Sequence, residues 1–465
     1  MKLSLREKIG YGFGDAASSM FWKLFSMYLL FFYTDIFGIP ALAVGTMILV
    51  TRIWDAAFDP FVGILGDRTE TRWGKFRPYL LWMALPFAII GVLTFTTPAL
   101  GASGKLIYAY VTYSLMMMVY SLINVPYASL MGVMTADGKE RTTLATFRFI
   151  FAFGGSLVVL AAAEPLSGIF SKLGGTTNLQ RGWQLTALVF AVLAAILFWL
   201  TFAWTRERIK PVTSKTSLRH DLADLRKNGP WFVLLGAGIA TIFFNSIRDG
   251  AAIYYFKYYL RSNDAFSVPS LKLVISWSSL YFPLGQAANI LGVILAKPVS
   301  DRIGKKNTFF LAMMSATVFS FMVYGLSPES VGLVMILQCL ISVSAGFVLP
   351  LLWSMYADTA DYSEWKTGRR ATGLVFSASS MSQKFGWTLG GAFTGWLLAY
   401  YGFQANVAQS GNTQTAIRMM VSILPAIGAL ISGAFMLIYP LKESQLATIE
   451  TELAARRAAQ PETIP

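Results

Sequence analysis

The sequence predicts an all-α membrane protein with twelve transmembrane helices, arranged as two pseudo-symmetric bundles of six. Three observations predict this fold. Of the 465 residues, 55% are hydrophobic and only 13% are charged, which is more apolar surface than one water-soluble core can bury. Apolar stretches of roughly twenty residues, long enough to cross a bilayer as helices, recur along the whole chain. Basic residues are concentrated in alternate loops.

Each span is predicted to be helical, because lipid offers the backbone no hydrogen-bonding partners. The predicted spans cover residues 9–36, 40–65, 77–97, 105–134, 142–169, 183–205, 229–260, 269–298, 308–327, 331–358, 371–401 and 416–440. The predicted organisation is an N-terminal six-helix bundle (1–206), a cytoplasmic middle loop (207–228), a C-terminal six-helix bundle (229–440) and a cytoplasmic tail (441–465).

The net charge of +14 comes from the alternate basic loops. Basic residues precede the first span and follow the second, fourth, sixth, eighth and tenth spans. This positive-inside pattern predicts a multi-pass inner-membrane protein with both termini in the cytoplasm, and it needs no nucleic-acid partner. The first segment contains Asp15 and Lys23 and no small-residue cleavage site, so we expect a retained span rather than a signal peptide.

One loop signal occurs in both halves. Gly66–Arg68 with Gly74-Lys75 follows the second span, and Ser300–Arg302 with Gly304–Lys306 follows the eighth. The repetition indicates a duplicated six-helix unit, the organisation of the major facilitator superfamily. The loops are interpreted either as a cytoplasmic latch of salt bridges or as ordinary basic loops. The candidate gating residues are Asp67, Arg68, Lys75, Asp301, Arg302, Asp358 and Asp361.

Charged residues within the second span point to a functional cavity. Arg52, Asp55 and Asp59 are spaced three and four residues apart, so they share one helical face. An ionisable group at the bilayer centre costs roughly 2.5 to 3.5 kcal/mol on insertion scales, so that face should line a cavity. Two carboxylates one turn apart repel unless a positive group, a proton or a cation lies beside them. The alternative is a static bridge from Arg52 to Asp55 or Asp15.

Further polar residues lie inside other predicted spans. They are expected either to bind a substrate or to form ion pairs between helices. Glu164, close to the outer end of its span, is expected to be solvated. Aromatic residues at span ends are expected to form a belt at the membrane interface, and they include Phe31, Phe32, Tyr33, Tyr254, Tyr255, Tyr258 and Tyr259. The predicted substrate contacts in these spans are Asp15, Trp22, Arg52, Asn124, Tyr127, Arg148, Asn245, Trp353 and Lys384, and the family resemblance described below adds Ser19 and Ser380.

Motifs for enzymatic chemistry are absent from the sequence. It contains no phosphate-binding Gly-rich loop ending in Gly-Lys-Ser/Thr, no His-Glu-x-x-His motif and no cysteine cluster, and its single histidine, His220, falls in the middle loop. We therefore expect neither an enzyme nor a cofactor other than a coupling cation.

Several motifs resemble those of the glycoside-pentoside-hexuronide:cation symporter family. They are Tyr11–Asp15, Phe32–Asp35, Arg52–Pro60, Thr71–Pro78, Asn124–Tyr127 and Ala357–Gly368, and the resemblance covers essentially the whole chain. It implies that Asp55 and Asp59 hold the coupling cation, Na⁺ or H⁺, with Ser121 and Asn124 as further ligands.

The resemblance also departs from one family member. Asn124 stands where the melibiose carrier has an aspartate, and Ser19 aligns with its sugar-binding aspartate of the first helix, so melibiose is not the expected substrate. Arg148 and Lys384, with Ser380 one turn before it, match family positions near the sugar.

These observations predict a secondary transporter that moves a sugar or glycoside together with a cation by alternating access. Carriers of the fold that it resembles usually work as monomers, and we expect the same here. The alternative within carriers is a cation-coupled transporter of a lysolipid or other amphiphile, which would need a side opening lined by apolar residues. A channel or a membrane enzyme is the more remote alternative.

Overall fold

The computed structural model describes residues 3–135, 138–173, 175, 177–208, 228–260, 264–268, 273–367 and 372–459. Most of the predicted middle loop, residues 209–227, lies outside this part of the chain, as do the side chains of Asp67 and Ser380.

The first half of the chain crosses the membrane six times, as predicted. Helix α1 continues into two π-helical segments, α3 and α4 together form the third crossing, and the others are single helices. Their bounds are α1 Leu5–Leu24 with π segments Phe25–Leu29 and Phe32–Ile36, α2 Ala41–Arg68, α3 Arg77–Trp82, α4 Ala84–Thr94, α5 Ala102–Met134, α6 Gly138–Ser171 and α7 Leu179–Trp204.

The second half adds six crossings, a short hairpin and a C-terminal helix. Helices α13 and α14 together form the twelfth crossing. The bounds are α8 Gly229–Tyr258, β1 Asp264–Val268, β2 Leu273–Ser276, α9 Trp277–Ile303, α10 Lys305–Tyr324, α11 Val331–Thr367, α12 Thr372–Tyr400, α13 Gly411–Val421, α14 Ile423–Ile438 and α15 Glu443–Ala459. Within the described residues, nine helical stretches, with α13 and α14 counted as one, are long and apolar enough to span a membrane.

Two predicted boundaries are wrong. The eighth span was expected to begin at residue 269, but Leu273–Ser276 pairs antiparallel with Asp264–Val268, and the helix begins only at Trp277. The β-branched residues Val268, Val274 and Ile275 in these two segments favour strands over a helix. The tenth span was expected to end at 358, whereas α11 continues to Thr367.

The chain divides into two compact units, each described by itself. Unit 1 comprises Met1–Thr213, Asp249–Pro283 and Gly391–Ile417, and unit 2 comprises Ser214–Arg248, Leu284–Gly390 and Arg418–Pro465. Both contain a helix crossing that only glycine permits. In unit 1, a Cβ on Gly395 would lie 2.9 Å from the Gly45 Cα, and in unit 2, a Cβ on Gly292 would lie 3.0 Å from the Gly346 Cα. The backbones therefore touch at these crossings.

Candidate functional site

The centre of the candidate site is a pair of carboxylates on α2 that converge on one serine of α5. The Ser121 hydroxyl lies 2.8 Å from Asp55 Oδ1 and 2.6 Å from Asp59 Oδ1. Asp55 is 2% exposed and Ser121 is also buried. The spacing of four residues places the two carboxylates one turn apart, so both point at the same part of α5. The structure thus brings together three of the predicted cation ligands.

Arg52 lies one turn before Asp55 and links this centre to an aromatic side chain. Its Nη1 is 4.0 Å from Asp55 Oδ2, and its side chain is 8% exposed. The guanidinium carbon lies 4.5 Å from the ring centroid of Trp22 on α1 and 5.9 Å from that of Tyr113. A desolvated guanidinium over an aromatic face is stabilised by the ring quadrupole. A movement of Arg52 would therefore change its cation–π contact with Trp22, which is a predicted substrate contact.

Asn124, the fourth predicted cation ligand, uses its amide nitrogen elsewhere. Its Nδ2 donates to the carbonyl of Tyr120, one turn earlier on α5, at 3.0 Å. The amide oxygen is the atom that remains for a ligand.

The second group of predicted contacts surrounds an ion pair between α1 and α6. Arg148 Nε donates to Asp15 Oδ2 at 2.8 Å, and the guanidinium lies 5.4 Å from the ring centroid of Tyr127. The Tyr127 hydroxyl donates to the carbonyl of Tyr11 at 2.7 Å, and the two rings stack at 4.7 Å. Tyr127 is fully buried, and both its ring and its hydroxyl make contacts within the helix bundle. Ser19 on α1 is half-buried.

The remaining described substrate candidates belong to unit 2. Asn245 Nδ2 donates to the Thr241 carbonyl at 2.9 Å, and the half-buried Trp353 ring lies 6.0 Å from that of Tyr356. Lys384 is half-buried on α12. These residues share a unit with one another and not with the carboxylate pair.

The duplicated Gly-Lys loops bind a carboxylate that the sequence did not reveal. In unit 1, Glu207 accepts hydrogen bonds from the backbone amides of Lys75, Phe76 and Arg77 at 2.8, 2.8 and 2.9 Å. Gly74 has φ +112°, and a Cβ there would lie 2.4 Å from the Glu207 carboxyl carbon. Only glycine adopts this backbone conformation so close to an anion.

Unit 2 repeats this arrangement. Glu443 accepts from the backbone amide of Lys305 at 2.8 Å, next to Gly304 with φ +84°. Both glutamates follow the last crossing of their half of the chain. Each caps the first turn of the third crossing in the same half, which is α3 for Glu207 and α10 for Glu443. The repeated glycine thus marks a carboxylate-binding turn.

The predicted gating residues fall into separate local pairs. In unit 2, Lys305 Nζ contacts both oxygens of Asp358 at 2.8 and 2.9 Å, while the exposed Asp301 pairs with Lys297 on its own helix at 2.6 Å. In unit 1, Lys75 Nζ is 3.9 Å from Glu70 Oε1. Arg68 and Arg302 are exposed, and Asp361 is half-buried.

A polar cluster in unit 1 went unpredicted. Asp35 Oδ1 lies 2.7 Å from Lys257 Nζ and also accepts a hydrogen bond from the Tyr258 hydroxyl. Asn406, whose φ is +62°, donates to the Asp35 carbonyl at 2.7 Å and accepts from Lys257 at 2.6 Å. We call Asp35, Lys257, Tyr258 and Asn406 the outer polar cluster, since the charge pattern predicts that this end of unit 1 faces away from the cytoplasm.

This cluster corrects the expected aromatic belt. Tyr254 and Tyr255 are buried, and the Tyr254 hydroxyl lies 2.7 Å from the Thr34 hydroxyl. Phe32 and Tyr33 are buried as well. Tyr254 therefore packs inside unit 1, where its hydroxyl finds a partner that a helical wheel does not reveal.

The expectation for Glu164 is also wrong. Its Oε2 accepts hydrogen bonds from Ser276, Ser278 and Ser279 at 3.0, 2.6 and 2.9 Å, and its Oε1 is buried. Proximity to the end of a span suggested solvation, but the start of α9 covers the carboxylate.

Comparison with known proteins gives this arrangement its context. Residues 10–443 match the family described as MFS/sugar transport protein. The chain belongs to this family. This MFS protein is 38% identical over 459 residues to the isoprimeverose transporter of Lactiplantibacillus pentosus, covering 97% of the chain and 92% of the relative. It is 37% identical over 454 residues to the inner membrane symporter YicJ of Escherichia coli (strain K12), covering 97% and 95%. It is 31% identical over 468 residues to the glucuronide carrier protein homolog of the same organism, covering 100% and 98%.

Solved structures share the fold. The inward open conformation of the xylose transporter XylE from E. coli aligns with a TM-score of 0.62 at 13% identity, covering 96% of this chain and 98% of that one. The nucleoside transporter NupG aligns with a TM-score of 0.61 at 15% identity, covering 94% and 100%. The family resemblance and the twelve-helix fold in two bundles are therefore confirmed, and this MFS protein is a multi-pass membrane transporter and not an enzyme.

Proposed function

We propose that this transporter is a symporter that moves a sugar or glycoside together with a monovalent cation, Na⁺ or H⁺, by alternating access. The observation that supports it most is the convergence of Asp55 and Asp59 on the Ser121 hydroxyl. A hydroxyl group has one hydrogen, so it can donate to only one of the two carboxylates at a time. A proton or a small cation at this point is attracted to both carboxylates, and oxygen ligands suit a hard cation such as Na⁺.

Coupling follows from the neighbours of this centre. Cation binding neutralises charge beside Arg52, which lies 4.0 Å from Asp55 and over the ring of Trp22. If Trp22 contacts the substrate, a shift of Arg52 alters substrate affinity. By linkage the substrate must then change cation affinity by the same factor. No cofactor other than the coupling cation enters this scheme, and the transporter acts as a monomer.

The substrate class is proposed from the relatives and from the polar lining of the site. The named relatives include an isoprimeverose transporter and a glucuronide carrier homolog. The Asp15–Arg148 pair offers both an acceptor and donors to a hydroxylated ligand, and its side chains are 14% and 31% exposed. A neutral glycoside, a pentoside or a hexuronide fits these groups.

The amphiphile alternative is less well supported by the geometry of unit 1. A lipid substrate needs a lateral opening, but α2 and α12 touch backbone to backbone at Gly45 and Gly395. The apolar groove beside this crossing, about 450 Å³ in volume, is lined by Leu42, Phe393, Trp396, Leu397, Ala399 and Tyr400. An apolar groove of this kind also fits a surface that faces the lipid of the bilayer, so it does not by itself favour a lipid substrate.

Uptake into proteoliposomes tests the proposal. A labelled panel of neutral glycosides, pentosides, glucuronides and a lysophospholipid is offered under an imposed Na⁺ gradient and, separately, under an imposed proton gradient. We expect one sugar class to accumulate above its external concentration under one of the two gradients. Accumulation of only the lysophospholipid would establish the alternative, and downhill movement alone under both gradients would refute cation coupling.

A further inference from the structure

Glu164 lies at a junction of three elements in unit 1. It projects from α6 towards Ser276, the last residue of β2, and towards the first turn of α9. Ser276 accepts from the backbone amide of Ser279 at 3.2 Å, so it caps the first turn of α9. The Glu164 carboxylate therefore sits at the positive end of a helix, with three serine hydroxyls around one of its oxygens.

The two carboxylate oxygens of Glu164 differ sharply in environment. Oε2 accepts all three serine hydrogen bonds, whereas Oε1 is buried and makes no hydrogen bond within the described residues. The Tyr28 hydroxyl, on the first π segment, is buried as well and lies within electrostatic reach of Glu164. The Trp183 ring of α7 packs on Tyr28 at 5.2 Å and adds no charge.

The carboxylates of the other buried pairs have a different kind of partner. Asp15 is bonded to Arg148 and Asp35 to Lys257, but the described bonds to Glu164 come from neutral serines. A buried carboxylate that is balanced only by hydroxyl groups pays a large desolvation penalty in its ionised form. Taking up a proton removes that penalty, and Oε1 is the oxygen left to carry the proton.

We propose that Glu164 is a proton-binding site, separate from the Asp55–Asp59 pair, whose proton holds the contact between α6 and the start of α9 closed. When the contact is formed, the carboxylate is shielded and binds a proton from the adjacent aqueous phase at Oε1. When the contact opens, water solvates the carboxylate and the proton leaves. Because shielding favours the protonated form, proton binding stabilises the closed contact by an equal amount.

The sign of the pH dependence follows directly. The closed contact has the higher proton affinity, so its stabilisation is complete at low pH and is lost as the pH rises through the titration of Glu164. In the described part of the chain, Tyr28 is a titratable group on a neighbouring element that interacts electrostatically with this carboxylate. The inference depends on the proposed transport function only where transport is measured.

Infrared spectroscopy of the purified transporter tests proton binding without any substrate. We expect a protonated-carboxyl stretching band that titrates with pH and is missing in Glu164→Gln. The matched control is Glu329→Gln, the same chemical change at an exposed residue outside the predicted sites, which should leave the band intact. In the same variants, Glu164→Gln should flatten the pH profile of substrate exchange. An unchanged set of protonated-carboxyl bands in folded Glu164→Gln would overturn the inference.

A second variant keeps the test decisive if Glu164→Gln fails to fold. Ser278→Ala removes the 2.6 Å donor that stabilises the ionised carboxylate, so the infrared titration midpoint should move to higher pH by about one unit. A midpoint that stays in place or moves to lower pH would show that the serines do not govern a proton on Glu164. Failure of cation-coupled uptake with the infrared result intact would refute the proposed function alone.

Discussion

Replacing Asp59 with asparagine tests the core of the proposed coupling. The amide keeps the size of the side chain but removes one negative charge from the point where Asp55 and Asp59 meet Ser121. A unit charge about 4 Å from a bound cation contributes about 4 kcal/mol at an effective dielectric constant of about 20. That corresponds to about a thousandfold loss of cation affinity.

The assay compares net accumulation with exchange in the same proteoliposomes. We expect Asp59→Asn to abolish concentrative uptake under the effective cation gradient and to retain exchange of substrate across the membrane. Glu329→Gln, which also replaces a carboxylate with an amide, is the control, because Glu329 is exposed and lies outside the predicted sites. Uphill accumulation by Asp59→Asn with unchanged cation dependence would refute the reasoning.

Three further variants probe described contacts. Asp15→Asn should lower the free energy of unfolding by about 2 kcal/mol because Arg148 loses a charged partner, and adding Arg148→Gln should recover part of that loss. Thermal unfolding in detergent measures both effects. If the losses of the two single variants simply add in the double variant, the prediction is wrong. Lys257→Gln should speed hydrogen exchange of the backbone around Asp35 about tenfold by weakening the outer polar cluster, and unchanged exchange would show that Lys257 does not stabilise this region. Glu207→Gln should destabilise the transporter by about 1 kcal/mol, since three backbone amides lose a charged acceptor, and an unaltered melting temperature would exclude that contribution.

The helices and the carboxylate pair were predictable because they depend on local spacing. Apolar length fixes a span, and a separation of four residues puts Asp55 and Asp59 on one face whatever surrounds them. The proposed ligand Ser121 came from family resemblance, and the structure brings it to both carboxylates. These parts of the site need only helical geometry and one neighbouring helix.

The missed features all depend on contacts between segments far apart in the chain. Glu164 is covered by serines more than one hundred residues later, and Glu207 caps a turn that precedes it by a similar distance. Lys257 contacts Asp35, which lies 222 residues earlier in the chain. Hydrophobic periodicity describes one helix at a time, so it could not indicate that Tyr254 points into unit 1 rather than to a membrane interface.

The two π segments of the first crossing make its length as informative as its composition. Each π turn accommodates one more residue than an α turn. Five residues in a π turn sweep about the same angle as four in an α-helix, so deleting one residue from Phe25–Leu29 would restore a regular α-helix with little rotation. Deleting one residue from Leu5–Leu24 instead would rotate everything beyond the deletion by about 100°. Asp35 would then face away from Lys257, although no side chain of the outer polar cluster had been changed. In this crossing, the number of residues determines which side chains reach the outer polar cluster. A one-residue gap in a sequence alignment here can therefore change that contact as much as a substitution does.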